Sequence, residues 1–181
     1  MTPTSRIGED IQAVRERDPA ARTSLEVFLT SPGVCALAWY RVANWLWRWE
    51  WFLPARIVSN VARWLTGIEI HPGATLGRRL VIDHGMGVVI GETAIVGDDC
   101  LVYHGVTLGG KIQASREQTT GQRHPTLGNR VLVGAGAAIL GPVTIGDDAR
   151  IGALSVVVDD VPSNALAVGI PAKVKKPTKR K

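Results

Sequence analysis

His71, His84, His104 and His124 are the four histidines of this 181-residue chain, and two of them have neighbours that suit proton chemistry. Asp83 precedes His84, and Gly85 and Gly87 follow it. Arg123 precedes His124, and Pro125 follows it. Glu69 lies fifteen residues before His84. A carboxylate on one imidazole nitrogen fixes the tautomer and raises the basicity of the other nitrogen. A general base acting on a hydroxyl needs that arrangement. His71, between Glu69 and Pro72, reads as a turn residue.

What must position these side chains is a six-residue rhythm. Aliphatic anchors run Ile70, Leu76, Ile82, then Ile90, Val96, Val102, Leu108, then Leu127, Val133, Ile139, Ile145, Ile151, Val157. A Gly often follows the anchor, and a mostly small residue comes four positions after it, as at Ala74, Ala94, Cys100, Ala137 and Ala149. Neither the helical nor the strand period gives six. A fixed hexapeptide repeat predicts a parallel β-helix, with inward aliphatics stacked into one core. The rhythm breaks twice. Ile82 to Ile90 is a step of eight, around Asp83–Gly87. Leu108 to Leu127 is a step of nineteen, which calls for one extra hexapeptide plus a polar excursion from Gly110 to Gln122. Insertions in solenoids project as loops from one face, where ligand sites collect. If three hexapeptides close a coil, His104 lies one coil plus two inserted residues after His84 and stacks near it. Glu69 lies one coil below His84, around a corner.

Hydrophobic content of 45% and charged content of 20% fit an ordinary globular chain. No apolar run is long enough to span a bilayer, and the charged start, Met1 to Asp18, has no signal-peptide core, so a cytoplasmic protein is expected. Cys35 and Cys100 suggest no disulfide framework. Lys173 to Lys181 carry six positive charges and no acid; without them the formal +5 becomes −1. The body has no basic patch with interleaved aromatics, so no nucleic-acid partner is expected. Residues 1–66 read as a helical domain, with breaks at Asp18-Pro19 and Ser31-Pro32-Gly33 and a helix junction at Pro54. It holds all six Trp. Arg48 and Glu50 interrupt the apolar stretch Trp45–Phe52, which favours packing on the first coils or on a partner subunit over a membrane surface. Residues 67–172 form the β-helix and 173–181 a basic tail.

Several motifs together resemble serine O-acetyltransferase: Arg17-Asp18-Pro19-Ala20, Tyr40-Arg41 to Trp47, Ile68-Glu69-Ile70-His71-Pro72, Ile82-Asp83-His84-Gly85, Val88 to Thr93, Val106 to Gly110 and Arg123-His124-Pro125. The likeness runs from about Glu9 to Lys173. It implies helices followed by a left-handed parallel β-helix, and a homotrimer with sites in clefts between coils. It also implies transfer of acetyl from acetyl-CoA to the L-serine hydroxyl in cysteine synthesis, with no metal. His84 matches the general base, Glu69 its orienting carboxylate and His124 the second active-site His. Asp18 and Asp83 match the residues on the substrate ammonium, and Arg123 the one on its carboxylate. Gly110, Ala135 and Ala153 match the strip that receives the pantetheine arm.

The implied chemistry is coherent. A zwitterion calls for acids at one end and an Arg at the other. Thioester attack generates an oxyanion, which needs preorganised donors, either backbone N–H groups or a His. The chain also departs from the family pattern. Its helical region is short, which points to a plain trimer. The Gly110–Arg123 loop is long. Leu154 stands where a Gly is common. The end, Lys179-Arg180-Lys181, lacks the terminal Ile that docks into O-acetylserine sulfhydrylase, which argues against that complex. Three other readings remain open: an O-acetyltransferase of sugars or polysaccharides, a zinc enzyme of the γ-carbonic-anhydrase kind with three converging His, and a non-catalytic scaffold.

Overall fold

Four helices and fifteen short strands make up the computed structural model, which describes residues 6–111 and 121–175. Most of the Gly110–Gln122 excursion and the last six residues of the tail lie outside the described residues. The helices are α1 (Arg6–Arg17), α2 (Ser24–Thr30), α3 (Pro32–Arg48) and α4 (Phe52–Thr66). Several boundaries have a local cause. The Thr23 hydroxyl caps α2 by accepting from the Glu26 N–H, and Ser31 caps α3 ahead of Pro32 at its first position. Pro54 falls in the first turn of α4, where its missing N–H costs nothing. Gly67, with φ 71°, ends α4 in the left-handed conformation that glycine tolerates.

Four coils follow. The first holds β1 (Glu69–Ile70), β2 (Thr75–Leu76) and β3 (Val81–Asp83); the second β4 (Val89–Ile90), β5 (Ile95–Val96) and β6 (Leu101–Tyr103). The third holds β7 (Thr107–Gly109), β8 (Thr126–Leu127) and β9 (Leu132–Val133); the fourth β10 (Ala138–Leu140), β11 (Thr144–Ile145) and β12 (Arg150–Ile151). Then come β13 (Val156–Val157), β14 (Leu166–Gly169) and β15 (Ala172–Lys175). Parallel pairing stacks them into three faces: β1-β4-β7-β10-β13, β2-β5-β8-β11, and β3-β6-β9-β12-β14, with β15 antiparallel on the edge of the last. This is the left-handed parallel β-helix. Lys173 and Lys175 belong to β15, so the start of the basic segment is paired into a sheet.

Register explains both breaks in rhythm. Ile70 pairs with Ile90, twenty residues on, and Ile90 with Leu108, eighteen on. Leu108 then pairs with Ile139, thirty-one on, and Ile139 with Val157, eighteen on. The first coil thus carries two extra residues and the third carries thirteen. No extra hexapeptide is wound into the nineteen-residue step, contrary to the sequence expectation. β7 and β8 are successive sides of one coil, and the thirteen extra residues fall between them in the sequence. The hexapeptide anchors from Ile70 to Val157 form the core, each at most 4% exposed apart from the half-buried Leu76. Each fully buried Leu or Ile contributes about 1.5–3 kcal/mol. Cys100 occupies a small inward position, and burial pushes its thiol pKa up to about 11, which makes it an inert packing group.

Candidate active site

His84 sits where the first coil turns from its third face to the next coil's first face. Its backbone is left-handed, with φ 61°, and Gly85 and Gly87 follow at φ 76° each. The Gly85 N–H donates to the Asp83 carbonyl, and the Met86 N–H to the His84 carbonyl. The two extra residues therefore form a tight turn that pushes the imidazole outward, 72% exposed. A non-glycine residue held in this conformation stores strain of roughly 1 kcal/mol, a cost that collects at functional sites. His84 Nε2 lies 4.0 Å from Asp83 Oδ1. His104, one coil on, stacks edge-to-face with it at 5.7 Å between ring centroids.

α1 brings Asp18 to the same corner. Glu9 and Glu16 pair with Arg78 and Arg79 on the coils, and Asp10 pairs with Arg41 of α3. Arg17 donates to the carbonyls of Asp99 and Cys100. These contacts pin α1 along its length, with Glu16 and Arg17 fixing its C-terminal end beside β3 and β6. A cleft of about 330 Å³ results, lined among others by Asp18, Asp83, His84, Arg17 and Tyr103. Asp18 Oδ1 also accepts from the Ala20 N–H, which fixes the turn after α1. Glu69 lies one coil below His84, just past the Gly67 corner, and its carboxylate pairs with Arg63 of α4 at 3.0 Å.

Arg123 and His124 occupy a different corner, between the first and second faces, where the excursion returns. Arg123 pairs with Glu92. The His124 ring is packed so close to the backbone of Gly91 that a Cβ there would lie 2.0 Å from Cδ2. Burial, and then the charge of Arg123, hold the His124 pKa below the usual imidazole value. His71 shares this corner. Its Nδ1 accepts from the Gly73 N–H, its ring packs edge-on against Trp47, and burial lowers its pKa. That Trp thus packs on the first coil, whereas Trp45, Trp49, Trp51 and Trp64 are exposed.

One chain therefore brings Asp18, Asp83 and His84 together and holds Arg123 and His124 one face away. Neither of the latter lines the cleft at His84. His84, His104 and His124 do not converge within a chain, and no trio of possible metal ligands groups among the described residues. Ala135 and Ala153 stack at the corner of His84, where the Leu154 N–H donates to the Ala135 carbonyl. Gly110 lies across the first face, at the root of the excursion. The same corner column runs Gly67, Gly87, Gly105, Gly136 and Leu154, all at positive φ, with Leu154 at 57°. Sequence reasoning placed Gly91 and Thr93 in the Val88–Thr93 motif but gave neither a role. Their signal is the thirty-one-residue register across the excursion, which sets Thr93 beside His124.

A prism of hexapeptide coils with acids, histidines and an arginine at its corners defines a hexapeptide-repeat acyltransferase. Residues 124–159 match the family model described as bacterial transferase hexapeptide (six repeats). The serine acetyltransferase of Synechococcus elongatus is 56% identical over 168 residues, covering 93% of this chain and 67% of that protein. Soybean serine acetyltransferase complexed with serine superposes with a TM-score of 0.87 at 40% identity, over 94% of this chain and 68% of the other. A serine acetyltransferase in complex with CoA gives 0.87 at 39% identity, over 94% and 68%. The chain belongs to the serine acetyltransferase family.

Proposed function

We propose that this chain works in the cytoplasm as a homotrimer that moves the acetyl group of acetyl-CoA to the hydroxyl of L-serine. Among the described residues no helix is long and apolar enough to cross a membrane. The observation that carries the reading is the split site: acids and an exposed His at one corner, an Arg and a His at the next. Packing of copies side by side closes the two halves around one substrate. α4 supports assembly, since Leu53, Ile57 and Trp64 are 72%, 54% and 85% exposed along one helical stripe.

In this reading Asp18 and Asp83 hold the serine ammonium and Arg123 of a neighbouring copy holds its carboxylate. His84, oriented by Glu69, takes the hydroxyl proton as the oxygen attacks the thioester carbonyl. The new C–O bond forms, the C–S bond breaks, and His84 returns the proton to the leaving CoA thiolate. The pantetheine arm runs past Ala135 and Ala153 of one copy and Gly110 of another, where small residues let it approach the backbone.

The deciding experiment is thioester cleavage of acetyl-CoA with serine, homoserine and simple sugars as acceptors, alongside light scattering. Serine-dependent cleavage by a trimer is expected. A sugar accepted in preference to serine would overturn the substrate, and full activity in a monomer would overturn the split site.

A further inference from the structure

The residue that decides what His124 can do is Thr93, half-buried one coil below it. Three hydrogen bonds join them, and a fourth ties Thr93 to the adjoining Arg123. The Arg123 N–H and the His124 N–H donate to Thr93 Oγ1, at 2.9 Å and 3.1 Å. The Thr93 N–H donates to His124 Nδ1 at 3.2 Å, and Thr93 Oγ1 lies 2.9 Å from the same nitrogen. Gln122 adds a fifth tie, from its amide to the Thr93 carbonyl at 2.6 Å.

Donor counting leaves one solution. A backbone N–H can only donate, so Nδ1 of His124 must present its lone pair. Two N–H groups already occupy the acceptor sites of the Thr93 hydroxyl, so its own hydrogen turns to Nδ1. With Nδ1 accepting, the proton of the neutral ring sits on Nε2. That nitrogen lies against the backbone of Gly91, where a Cβ would come within 2.2 Å of it, and a Cβ at exposed Gly110 would lie 3.8 Å away, so only glycine at these two positions leaves its edge uncovered by a side chain. Burial and the Arg123 charge, which depress the ring's pKa, act in the same sense by disfavouring a second proton.

We propose that Thr93 is a positioning residue that locks His124 as a neutral Nε2–H donor, so that His124 stabilises the oxyanion formed on the thioester carbonyl and takes no proton itself. The two active-site histidines then have separate tasks. His84, exposed and oriented by Glu69 in the reading above, accepts the hydroxyl proton. His124 supplies a preorganised dipole that needs no reorganisation when charge develops. The catalytic half of this proposal rests on the acetyl-transfer reading above; the tautomer does not.

Nitrogen NMR of imidazole-labelled protein tests the lock directly, with the His124 signal assigned by its loss in His124→Asn. The wild-type ring is expected as the Nε2–H tautomer. In Thr93→Val, which removes the hydroxyl at nearly constant shape, the tautomer preference weakens and the titration midpoint rises; Thr93→Ser restores both. In the acetyl-transfer assay Thr93→Val lowers kcat about tenfold or more, and Thr93→Ser stays within about twofold of wild type. An Nδ1–H ring in the wild-type protein overturns the lock, whatever the substrate proves to be. A normal tautomer with Thr93→Val altering only the serine KM overturns the oxyanion role.

Discussion

His124 and Gly91 are in contact across two successive coils: a Cβ on Gly91 would lie 2.0 Å from Cδ2 and 2.2 Å from Nε2 of the imidazole. Neither atom can yield easily, because Thr93 and the returning chain hold the ring from the other side. Gly91→Ala is therefore expected to displace His124 while the coil persists, since Gly91 has no positive φ and Ala fits its backbone. The variant should keep its circular dichroism and assembly and lose roughly a hundredfold in kcat/KM, the scale of a misplaced catalytic group. Near-wild-type turnover would remove His124 from the reaction.

Arg123 is held in advance by Glu92 through Nη2, and its side chain stays 41% exposed. A guanidinium so placed keeps donors free for a carboxylate. Arg123→Ala is expected to raise the serine KM about tenfold to a hundredfold, from loss of a charge-assisted hydrogen bond of about 1.5–3 kcal/mol. The KM for acetyl-CoA should stay put. Steady-state kinetics with each substrate varied in turn checks this, and an unchanged serine KM would take Arg123 off the carboxylate.

The column of left-handed corners ends in a side chain that does not suit it. Leu154 has φ 57° and is 70% exposed, where Gly67, Gly87, Gly105 and Gly136 occupy the coils before. A left-handed Leu costs about 1–2 kcal/mol. Gly costs about 0.5–1 kcal/mol more chain entropy on folding. Strain outweighs entropy by about 0.5 kcal/mol on these magnitudes, and the exposed side chain buries little. Leu154→Gly is expected to raise Tm by about 1–2 °C. A fall in Tm would mean that the contact of Leu154 over Gly136 stabilises more than the backbone loses.

The sequence made the coils legible because hexapeptide periodicity is written directly in the aliphatic anchors. His84 and its stacking with His104 could be read for the same reason, since an eight-residue step shifts the next coil by two. The thirteen-residue insertion was harder. Its length fits either an extra hexapeptide with a shorter loop or one long loop, and only the pairing of Ile95 with Thr126 decides. Until that register is known, Thr93 and His124 have no reason to be neighbours. Glu69 shows the other limit: spacing places it around the corner from His84, but its tie to Arg63 depends on how α4 packs, which no short motif encodes.

Two half-buried imidazoles at one corner should make stability depend on pH. Both His71 and His124 have pKa values held below 6.5, chiefly by burial. Arg56 and Arg123 push His71 the same way and Glu92 opposes them. Their rings are also committed as acceptors at Nδ1, His71 to Gly73 and His124 to Thr93. In the unfolded chain each His takes a proton near pH 6.5; in the folded chain each resists until lower pH. Between those values the unfolded state binds more protons, so stability rises with pH and falls on acidification. The loss begins near pH 6.5. Carboxylates such as Glu16 and Asp148, whose pKa values are lowered by their Arg partners, add a separate loss only at more acid pH, starting near 4.5 or below. Urea midpoints at fixed protein concentration are therefore expected to be level from pH 8 to about 7 and lower at about pH 5.5. The double variant His71→Gln, His124→Gln should lose most of that difference, because Gln does not titrate. A wild-type midpoint that does not move, or a double variant that keeps the full pH response, would place the titration elsewhere in the chain.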